Sequence, residues 1–256
     1  MTFVTFNIRC DYQQDGANSF CYRKPLILQK IREETPDIIC FQEVLPHVAA
    51  WLKESLADYY VVGCGRSETL EDEQVSIAYR KDRFNLVQAD TFWLSETPEI
   101  PASRYPDQSI CPRVCTLALF QDLEEKRVFR VANTHLDHIG STARRKGLLQ
   151  ILRRLEEERL FAQAPVILAG DFNAEPDGEE LLVFREYPQY VNATEGIGVT
   201  YHGYMRAERP ERIDYIFLKG GVSCAQVEKW TQETDGVYLS DHYPICAALK
   251  WEGAEA

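Results

Sequence analysis

Residues 165–173 have the sequence PVILAGDFN, in which a short apolar run leads directly into an aspartate and an asparagine. An apolar run of this length, bounded by proline and glycine, is typical of a buried strand. Side chains two residues apart in an extended chain point the same way, so Asp171 and Asn173 share a face at the strand's carboxyl end. Such a pair indicates a metal or water site if other acids converge on it, and a plain turn if they do not.

The same pattern of an apolar strand followed at once by polar side chains recurs along the chain. An acid within an apolar stretch is costly to bury unless it is paired or bound to a metal, and Asp214 within Ile213–Phe217 is the clearest case. Singly, His135 is also compatible with a core histidine and Asp241 with a turn residue. Their recurrence at strand ends favours one shared site. The candidates are Asn7, Glu43, His135, Asp137, Asp171, Asn173, Asp214, Asp241 and His242.

Many predicted strands with only a few helices between them do not fit a simple βαβ alternation. Two mixed sheets packed face to face, with helices outside, fit better. No linker, repeat or low-complexity segment divides the chain, so residues 1–256 are expected to form a single domain. Helices are predicted over 24–34 and 141–161. Two loops, 11–23 and 95–113, are long enough to contribute to a binding site.

The charge and the cysteine content restrict the possible partners and location. The net charge of −12 argues against tight, nonspecific binding of a polyanion such as duplex DNA. No apolar run approaches the ~18 residues that a membrane span needs, and the first residues do not resemble a secretory signal. Eight scattered cysteines are typical of free thiols in a reducing compartment, so a cytoplasmic location is expected.

Six segments carry the polar strand ends, and they occur in the order Thr5-Phe6-Asn7, Phe41-Gln42-Glu43, Asn133-Thr134-His135-Leu136, Gly170-Asp171-Phe172-Asn173, Arg212-Ile213-Asp214-Tyr215 and Ser240-Asp241-His242-Tyr243-Pro244. In this order they resemble the signature of the endonuclease/exonuclease/phosphatase superfamily, whose members have a deoxyribonuclease I-like fold. Two more segments are similar to the deadenylase-like branch and its small bacterial relatives, namely His135-Leu136-Asp137-His138 and Thr200-Tyr201-His202-Gly203. The resemblance implies an α/β fold, a four-layer sandwich of two packed mixed sheets flanked by helices.

The resemblance also implies a metal-dependent phosphoric ester hydrolase. Such an enzyme must neutralise charge on the phosphoryl oxygens, orient a water and assist the leaving oxygen. Glu43 is implied as the principal ligand of Mg²⁺ or Mn²⁺, with Asn7 and Asp241 adjacent, since hard cations take oxygen ligands. Asp171 would orient or deprotonate the water, and Asn173 would hold the water or a phosphoryl oxygen.

The histidines complete the implied mechanism. His242 would be the positively charged partner of the transition state, and Asp214 would fix its tautomer and favour its charged form. His135 would donate a hydrogen bond to a second phosphoryl oxygen.

The substrate is expected to depend on the loops, because one fold hosts many substrates. Asn18 and Arg23 from the first loop, and Arg104 and Arg113 from the second, are candidates to contact a second phosphate or sugar hydroxyls.

Three functions stay open at this point. The acidic charge favours a phosphodiesterase or phosphatase on a phosphorylated small molecule, such as a nucleotide, a sugar phosphate or a lipid headgroup. The deadenylase-like segments favour a nuclease or deadenylase that acts on single-stranded RNA or DNA. A catalytically inactive binding module is disfavoured, because Glu43, Asp171, Asp214 and His242 are all present.

Overall fold

The computed structural model describes residues 1–157, 161 and 163–253. The described chain contains two six-stranded sheets. The first sheet has the spatial order β11 (Val222–Lys229), β14 (Ile245–Trp251), β1 (Thr2–Asn7), β2 (Ile38–Val44), β4 (Gln74–Arg80) and β3 (Tyr59–Val62). The second has the order β5 (Phe84–Trp93), β6 (Val114–Asp122), β7 (Arg127–His135), β8 (Val166–Asp171), β10 (Asp214–Lys219) and β9 (Val191–Asn192).

Helices cover the outer faces of both sheets. Three α-helices are described, α1 (Phe20–Glu34), α2 (Pro46–Ser55) and α3 (Ser141–Glu157). Short 3₁₀ helices span Gly16–Asn18, Glu179–Arg185 and Gly203–Met205, and a small ribbon pairs β12 (Glu233–Thr234) with β13 (Val237–Tyr238). Among the residues that the structure describes, no helix is long and apolar enough to cross a membrane.

Three apolar layers separate the helices and sheets, because strand side chains alternate between two buried faces. In β8, Ile167 and Ala169 face the layer between the sheets, whereas Val166 and Leu168 face the layer beneath α3. A third layer lies between the first sheet and helices α1 and α2. Strands buried on both faces read as continuous apolar runs. The predicted four-layer α/β sandwich of two mixed sheets is confirmed.

The central strand β8 passes unusually close to its neighbour β7. Gly170 has a φ of +142°, and a Cβ atom there would lie 1.9 Å from the carbonyl oxygen of Thr134. Only glycine fits such a contact with backbone. The glycine before Asp171 therefore allows β8 to reach the register that places Asp171 beside His135.

Two amides from the signature segments link the sheets below their common edge. The side-chain nitrogen of Asn133 donates to the carbonyl oxygens of Phe41 and Ser76 at 2.8 and 2.9 Å. Its oxygen accepts a hydrogen bond of 2.7 Å from the side chain of Gln42. These bonds cross from the second sheet to the first, and they fix the relative position of the strand ends above them.

Some predicted element bounds differ from the structure. Helix α1 begins at Phe20 rather than at residue 24, since the polar composition of the preceding residues concealed its first turn and Pro25 lies inside it. Helix α3 is described to Glu157, and residues 158–160 of the predicted helix 141–161 lie outside the described residues. Residues 95–113, all of which the structure describes, form turns without a helix or strand, as predicted.

Candidate active site

Parallel strand pairs bring the candidate side chains to one rim. β1 and β2 run parallel and align Asn7 with Gln42, and β7 and β8 run parallel and align His135 with Asp171. β10 runs antiparallel to β8, so its first residue, Asp214, lies opposite Asp171. The rim borders a cavity of about 450 Å³. Six of the candidates line this cavity, namely Glu43, His135, Asp171, Asn173, Asp241 and His242.

Asn7 holds two carboxylates together at the centre of the rim. Its side-chain nitrogen donates to Oε1 of Glu43 at 2.9 Å and to Oδ2 of Asp171 at 3.0 Å. Its carbonyl oxygen accepts a hydrogen bond from the backbone N–H of Arg9 at 3.0 Å. Asn7 therefore bridges the two sheets, and its predicted role as a metal ligand stays a prediction.

Glu43 is held as a carboxylate. Its Oε2 accepts a 2.7 Å hydrogen bond from the backbone N–H of Cys10. Burial favours the neutral acid, but the electrostatic interaction with His135, the hydrogen bonds from Asn7 and Cys10, and the charge of Arg9 together outweigh burial and lower the pKa of Glu43. Its backbone has a φ of 62°, next to a register shift between β2 and β4. A non-glycine residue in this conformation is strained, and such strain is often found at functional sites.

Asp171 is a buried carboxyl group with several polar neighbours. It is 1% exposed, and its Oδ1 accepts a hydrogen bond from the backbone N–H of Asn173 at 2.9 Å. Its Oδ2 lies 3.5 Å from Nε2 of His135 and 3.8 Å from Nε2 of His242. Burial, followed by the charge of Asp214, raises the pKa of Asp171 to about 7. A group with this pKa can accept a proton from water near neutral pH.

Asp214 and His242 form a buried pair. Nδ1 of His242 lies 2.8 Å from Oδ2 of Asp214. Burial opposes protonation of the ring, but the charge and hydrogen bond of Asp214 outweigh it and raise the pKa of His242 to about 10. A protonated His242 donates Nδ1–H to Asp214 and keeps Nε2–H for a group in the cavity. The predicted orientation of His242 by Asp214 matches this geometry.

The segment Thr200–Gly203 holds this pair in place through hydrogen bonds with backbone groups. The Thr200 hydroxyl oxygen accepts hydrogen bonds from the backbone N–H groups of Ile213 and Asp214, at 3.0 and 3.2 Å. The N–H of His202 donates to the carbonyl oxygen of Asp241 at 2.9 Å. One segment thus connects the strand start that carries Asp214 to the loop that carries Asp241 and His242.

His135 is neutral and is bound by Asn173. The side-chain nitrogen of Asn173 donates to the carbonyl oxygen of Leu136 at 3.0 Å, and it lies 3.0 Å from Nε2 of His135. Burial, followed by the charge of Arg113, lowers the pKa of His135. The neutral ring accepts at Nε2 from Asn173, so donation from Nε2 to a phosphoryl oxygen would require Asn173 to release it. That role of His135 stays a prediction.

The oxygen-rich donor set fits a hard divalent cation. Ligand atoms of Glu43, His135 and Asp171 lie within 4.8 Å of one another, and Asp241 faces the same cavity. Burial, and then the charge of Glu43, raise the pKa of Asp241, although Nε of Arg9 lies 3.5 Å from its Oδ2. Cys10 also lines the cavity, but burial and Glu43 raise the pKa of its thiol and keep it neutral. The donor set therefore suits Mg²⁺ or Mn²⁺ better than a thiolate metal such as zinc.

Arg23 and Asn18, the two substrate-binding candidates from the first loop, do not line the cavity. Arg23 is completely buried, and its guanidinium donates to the carbonyl oxygens of Ile8, Arg9, Asn18 and Leu239. The side chain of Asn18 bonds to Gly236 O and Tyr238 N–H. Arg23 thus joins the end of β1 to the segment before Asp241, Asn18 bonds to that segment alone, and the substrate-binding role of both stays a prediction.

Arg104 and Arg113, the two candidates from the second loop, lie in different surroundings. Arg104 is exposed, donates to the carbonyl oxygen of Ser109 at 2.7 Å, and does not line the cavity. Arg113 is buried and does line it. Of the four predicted substrate-binding residues, only Arg113 therefore lies at the rim.

Replacing Arg23 by methionine is expected to lower the free energy of unfolding by about 3 kcal/mol or more, because four buried carbonyl groups lose a charged donor. Chemical denaturation measures this change. Arg32→Met removes the same charge from an exposed position of α1 and is the matched control. Equal denaturation midpoints for the two variants would contradict the structural role of Arg23.

Several cavity residues were missed by sequence analysis. Tyr201 pairs with His242 across an isolated bridge, and their rings lie 5.0 Å apart. Arg66 and Glu73 form an ion pair of 2.9 Å at the two ends of an acidic loop. Tyr201 and His138 belong to the deadenylase-like segments, which was a usable signal, whereas nothing in the sequence distinguishes Arg66 from other surface arginines. Arg9 and Glu211 also line the cavity.

Comparison with known proteins relates the chain to one family. The sequence profile described as "Endonuclease/Exonuclease/phosphatase family" matches residues 4–242. The chain is 30% identical over 160 residues to an uncharacterized protein of Acanthamoeba polyphaga mimivirus, covering 60% of this chain and 59% of that protein. It is 31% identical over 186 residues to Nocturnin of Drosophila melanogaster, covering 66% of this chain and 26% of Nocturnin. The chain thus spans only part of the length of these curated relatives.

Solved structures match over nearly the whole chain. The endonuclease/exonuclease/phosphatase from Bacteroides vulgatus is 33% identical with a TM-score of 0.91, and the match covers 98% of both chains. The mannosyl-6-phosphatase of Bacteroides thetaiotaomicron is 27% identical with a TM-score of 0.89, and the match covers 98% of this chain and all of that one.

Proposed function

The chain belongs to the endonuclease/exonuclease/phosphatase family of phosphoester hydrolases, and we propose that it is a Mg²⁺- or Mn²⁺-dependent hydrolase of a small phosphorylated substrate. One observation carries the proposal. Glu43, Asp171 and the Asp214–His242 pair come from both sheets and meet within hydrogen-bonding reach around Asn7 at the edge of a single cavity. Residues 1–256 act as one domain in this proposal.

The residues divide the work of phosphoester hydrolysis. Asp171, whose pKa is raised to about 7, accepts a proton from the attacking water. Protonated His242 offers Nε2–H to a phosphoryl or leaving oxygen, and Asp214 keeps the ring charged. Asn173 holds the water or a phosphoryl oxygen. Glu43 and Asp241, with Asn7 beside them, would hold the divalent cation, which when bound neutralises charge on the phosphoryl oxygens.

A small substrate is favoured over a polynucleotide. The net charge of −12 opposes long-range attraction of a polyanion. A solved structure with 27% identity is named as a mannosyl-6-phosphatase, so a sugar phosphate is a reasonable first candidate. Eight free thiols support the proposed cytoplasmic location.

The second candidate is a nuclease or deadenylase on single-stranded RNA or DNA, which the deadenylase-like segments favour. The hydrogen bonds of these segments hold other residues of the site in position. Asp137 accepts hydrogen bonds from Ser109, Ile139 and Gly140, and residues 200–203 support Asp214 and Asp241. Either substrate class would need these contacts, so the segments do not decide between them.

A substrate panel tests the proposal. Sugar phosphates, nucleotides, dinucleotides and oligo(A) are incubated with Mg²⁺ or Mn²⁺, and Glu43→Gln serves as the blank. We expect turnover of small phosphoesters that oligo(A) does not inhibit. Preferential shortening of oligo(A), with binding that falls steeply as salt rises, would support the nuclease and contradict the small substrate.

A further inference from the structure

Arg113 is a buried cation with unused hydrogen-bond donors at the wall of the cavity. The residue is 5% exposed, and Nε and Nη1, which are closed off from solvent, have no hydrogen-bond partner among the described residues. Its Nη2 donates to Nδ1 of His138 at 2.9 Å. Buried guanidinium N–H groups are normally paired, so two that are free at a cavity indicate a place for an anionic ligand.

The nearest carboxylate does not use these donors. Oδ1 of Asp137 lies 3.6 Å from Nε of Arg113, which is an ion pair without a hydrogen bond. The carboxylate of Asp137 already accepts hydrogen bonds from the N–H and hydroxyl of Ser109 and from the N–H groups of Ile139 and Gly140. Asp137 thus balances the charge of Arg113 from the side of Nε, and Nη1 has neither a hydrogen bond nor an ion pair within the described part of the chain.

Arg113 also determines how His138 can interact. Because Nδ1 of His138 accepts from Arg113, the neutral ring carries its proton on Nε2. Burial, followed by the charge of Arg113, lowers the pKa of His138 and keeps it neutral. His138 lines the same cavity with its side chain 48% exposed. Nη1 of Arg113 and Nε2 of His138 are therefore two unpaired donor nitrogens on this wall.

Arg113 and His138 line the same cavity as the reacting groups. Arg113 directly precedes β6, whose Cys115 pairs with Thr134 of β7, so continuing the register places Arg113 beside the residues that follow His135. His135 in turn has its ligand atom within 4.8 Å of those of Glu43 and Asp171. A phosphate bound near Asp171 and His135 would thus present an oxygen to this wall.

We propose that Arg113 and His138 bind an unesterified oxygen of the reacting phosphate and make the site selective for phosphomonoesters over phosphodiesters. A monoester carries about −1.5 to −2 charge at neutral pH and three acceptor oxygens. A diester carries a single charge and two unesterified oxygens. The third oxygen of a monoester needs additional donors, which Arg113 and His138 supply. This inference rests on the proposed phosphoesterase function and specifies its substrate class.

The selectivity is tested with a monoester and a diester that release the same leaving group, p-nitrophenolate. In Arg113→Gln, kcat/KM for p-nitrophenyl phosphate should fall about 10- to 100-fold, the usual effect of removing charge-assisted hydrogen bonds. The rate for bis-p-nitrophenyl phosphate should change little. Arg145→Gln removes an equivalent charge from α3, where Arg145 is half exposed and pairs with Glu186, and should change neither rate. If Arg113→Gln does not fold, His138→Gln replaces it, because the His138 ring is half exposed and its loss should leave the fold intact. It should lower the rate for the monoester relative to the rate for the diester.

Phosphate binding separates this inference from the proposed function. Calorimetry measures the binding of inorganic phosphate without turnover. The double variant Asp171→Asn/Arg113→Gln should bind phosphate more weakly than Asp171→Asn alone. An equal loss for both esters, no loss for either, or a loss confined to substrates with a second phosphate would overturn the inference while leaving the hydrolase intact. Absence of turnover on every ester by the wild type, with phosphate binding that still depends on Arg113, would instead refute the proposed function alone.

Discussion

Asp171→Asn is expected to lower kcat/KM for a phosphoester about 10³-fold, the typical contribution of a positioned general base. Asparagine is nearly isosteric, and its carbonyl oxygen can still accept the hydrogen bond from the N–H of Asn173, whereas its NH2 group cannot accept the bond that Asn7 donates to Oδ2. It cannot accept a proton from water. The exposed Asp177→Asn removes the same charge six residues along the chain and should leave the rate unchanged.

The same substitution is expected to stabilise the fold at alkaline pH. The folded-state pKa of about 7 lies above the ordinary value of 3.8, so the native state holds this proton more tightly than the unfolded chain does. Stability is therefore fully present below the unfolded pKa and is lost as the pH rises through about 7. Asparagine does not ionise and avoids this loss. A melting temperature at pH 8 without metal that is higher than wild type, together with the lost rate, is the expected outcome.

A reduced rate with reduced stability would mean that Asp171 is mainly structural. An unchanged rate in a folded variant would remove Asp171 from the mechanism. The opposite signs expected for activity and stability thus distinguish a catalytic carboxylate from a structural one.

Asp214→Asn should lower kcat/KM about 10²- to 10³-fold, because His242 loses the carboxylate that orients and charges it. It should also shift the pH profile. In the wild type we expect activity to rise as Asp171 deprotonates near pH 7 and to fall as His242 deprotonates near pH 10. The charge of Asp214 raises both of these pKa values, so both limbs of the profile should move to lower pH in the variant.

The pH dependence of kcat/KM for the wild type and Asp214→Asn checks this prediction. Thr200→Val is an informative companion, because Thr200 positions Asp214 through its backbone N–H while leaving the charge in place. Thr200→Val should lower kcat/KM, but it should move the alkaline limb of the pH profile less than Asp214→Asn does. An alkaline limb that keeps its position in Asp214→Asn would contradict the role of the pair.

The sandwich and most of its rim were predictable because strand periodicity and strand ends are local signals. Continuous apolar runs such as residues 165–169 require burial on both faces, which two packed sheets provide. Polar residues directly after parallel strands meet at one edge whatever the intervening chain length, as Asn7 and His135 do. The predicted bond between Asp214 and His242 followed from recognising the ordered segments.

Functions that depend on distant backbone groups could not be predicted. Arg23 appeared to be a loop residue, but four carbonyl oxygens from three segments accept hydrogen bonds from it, and no local pattern indicates such a set. The orientation of the Asn7 amide depends on the two carboxylates that flank it. The unpaired nitrogens of Arg113 depend on the hydrogen bonds that Asp137 accepts from Ser109, Ile139 and Gly140. These are properties of packing between segments, which the sequence does not display.

Phosphate release from p-nitrophenyl phosphate, by wild type and Glu43→Gln, in Mg²⁺ or Mn²⁺ and after exhaustive chelation, tests the central claim most directly. Glutamine keeps the size of Glu43 but removes the charge that lies between Asn7 and the N–H of Cys10. The account predicts turnover by wild type that requires the added cation and is lost in Glu43→Gln. Equal release by both proteins, or full wild-type release after chelation, would contradict it.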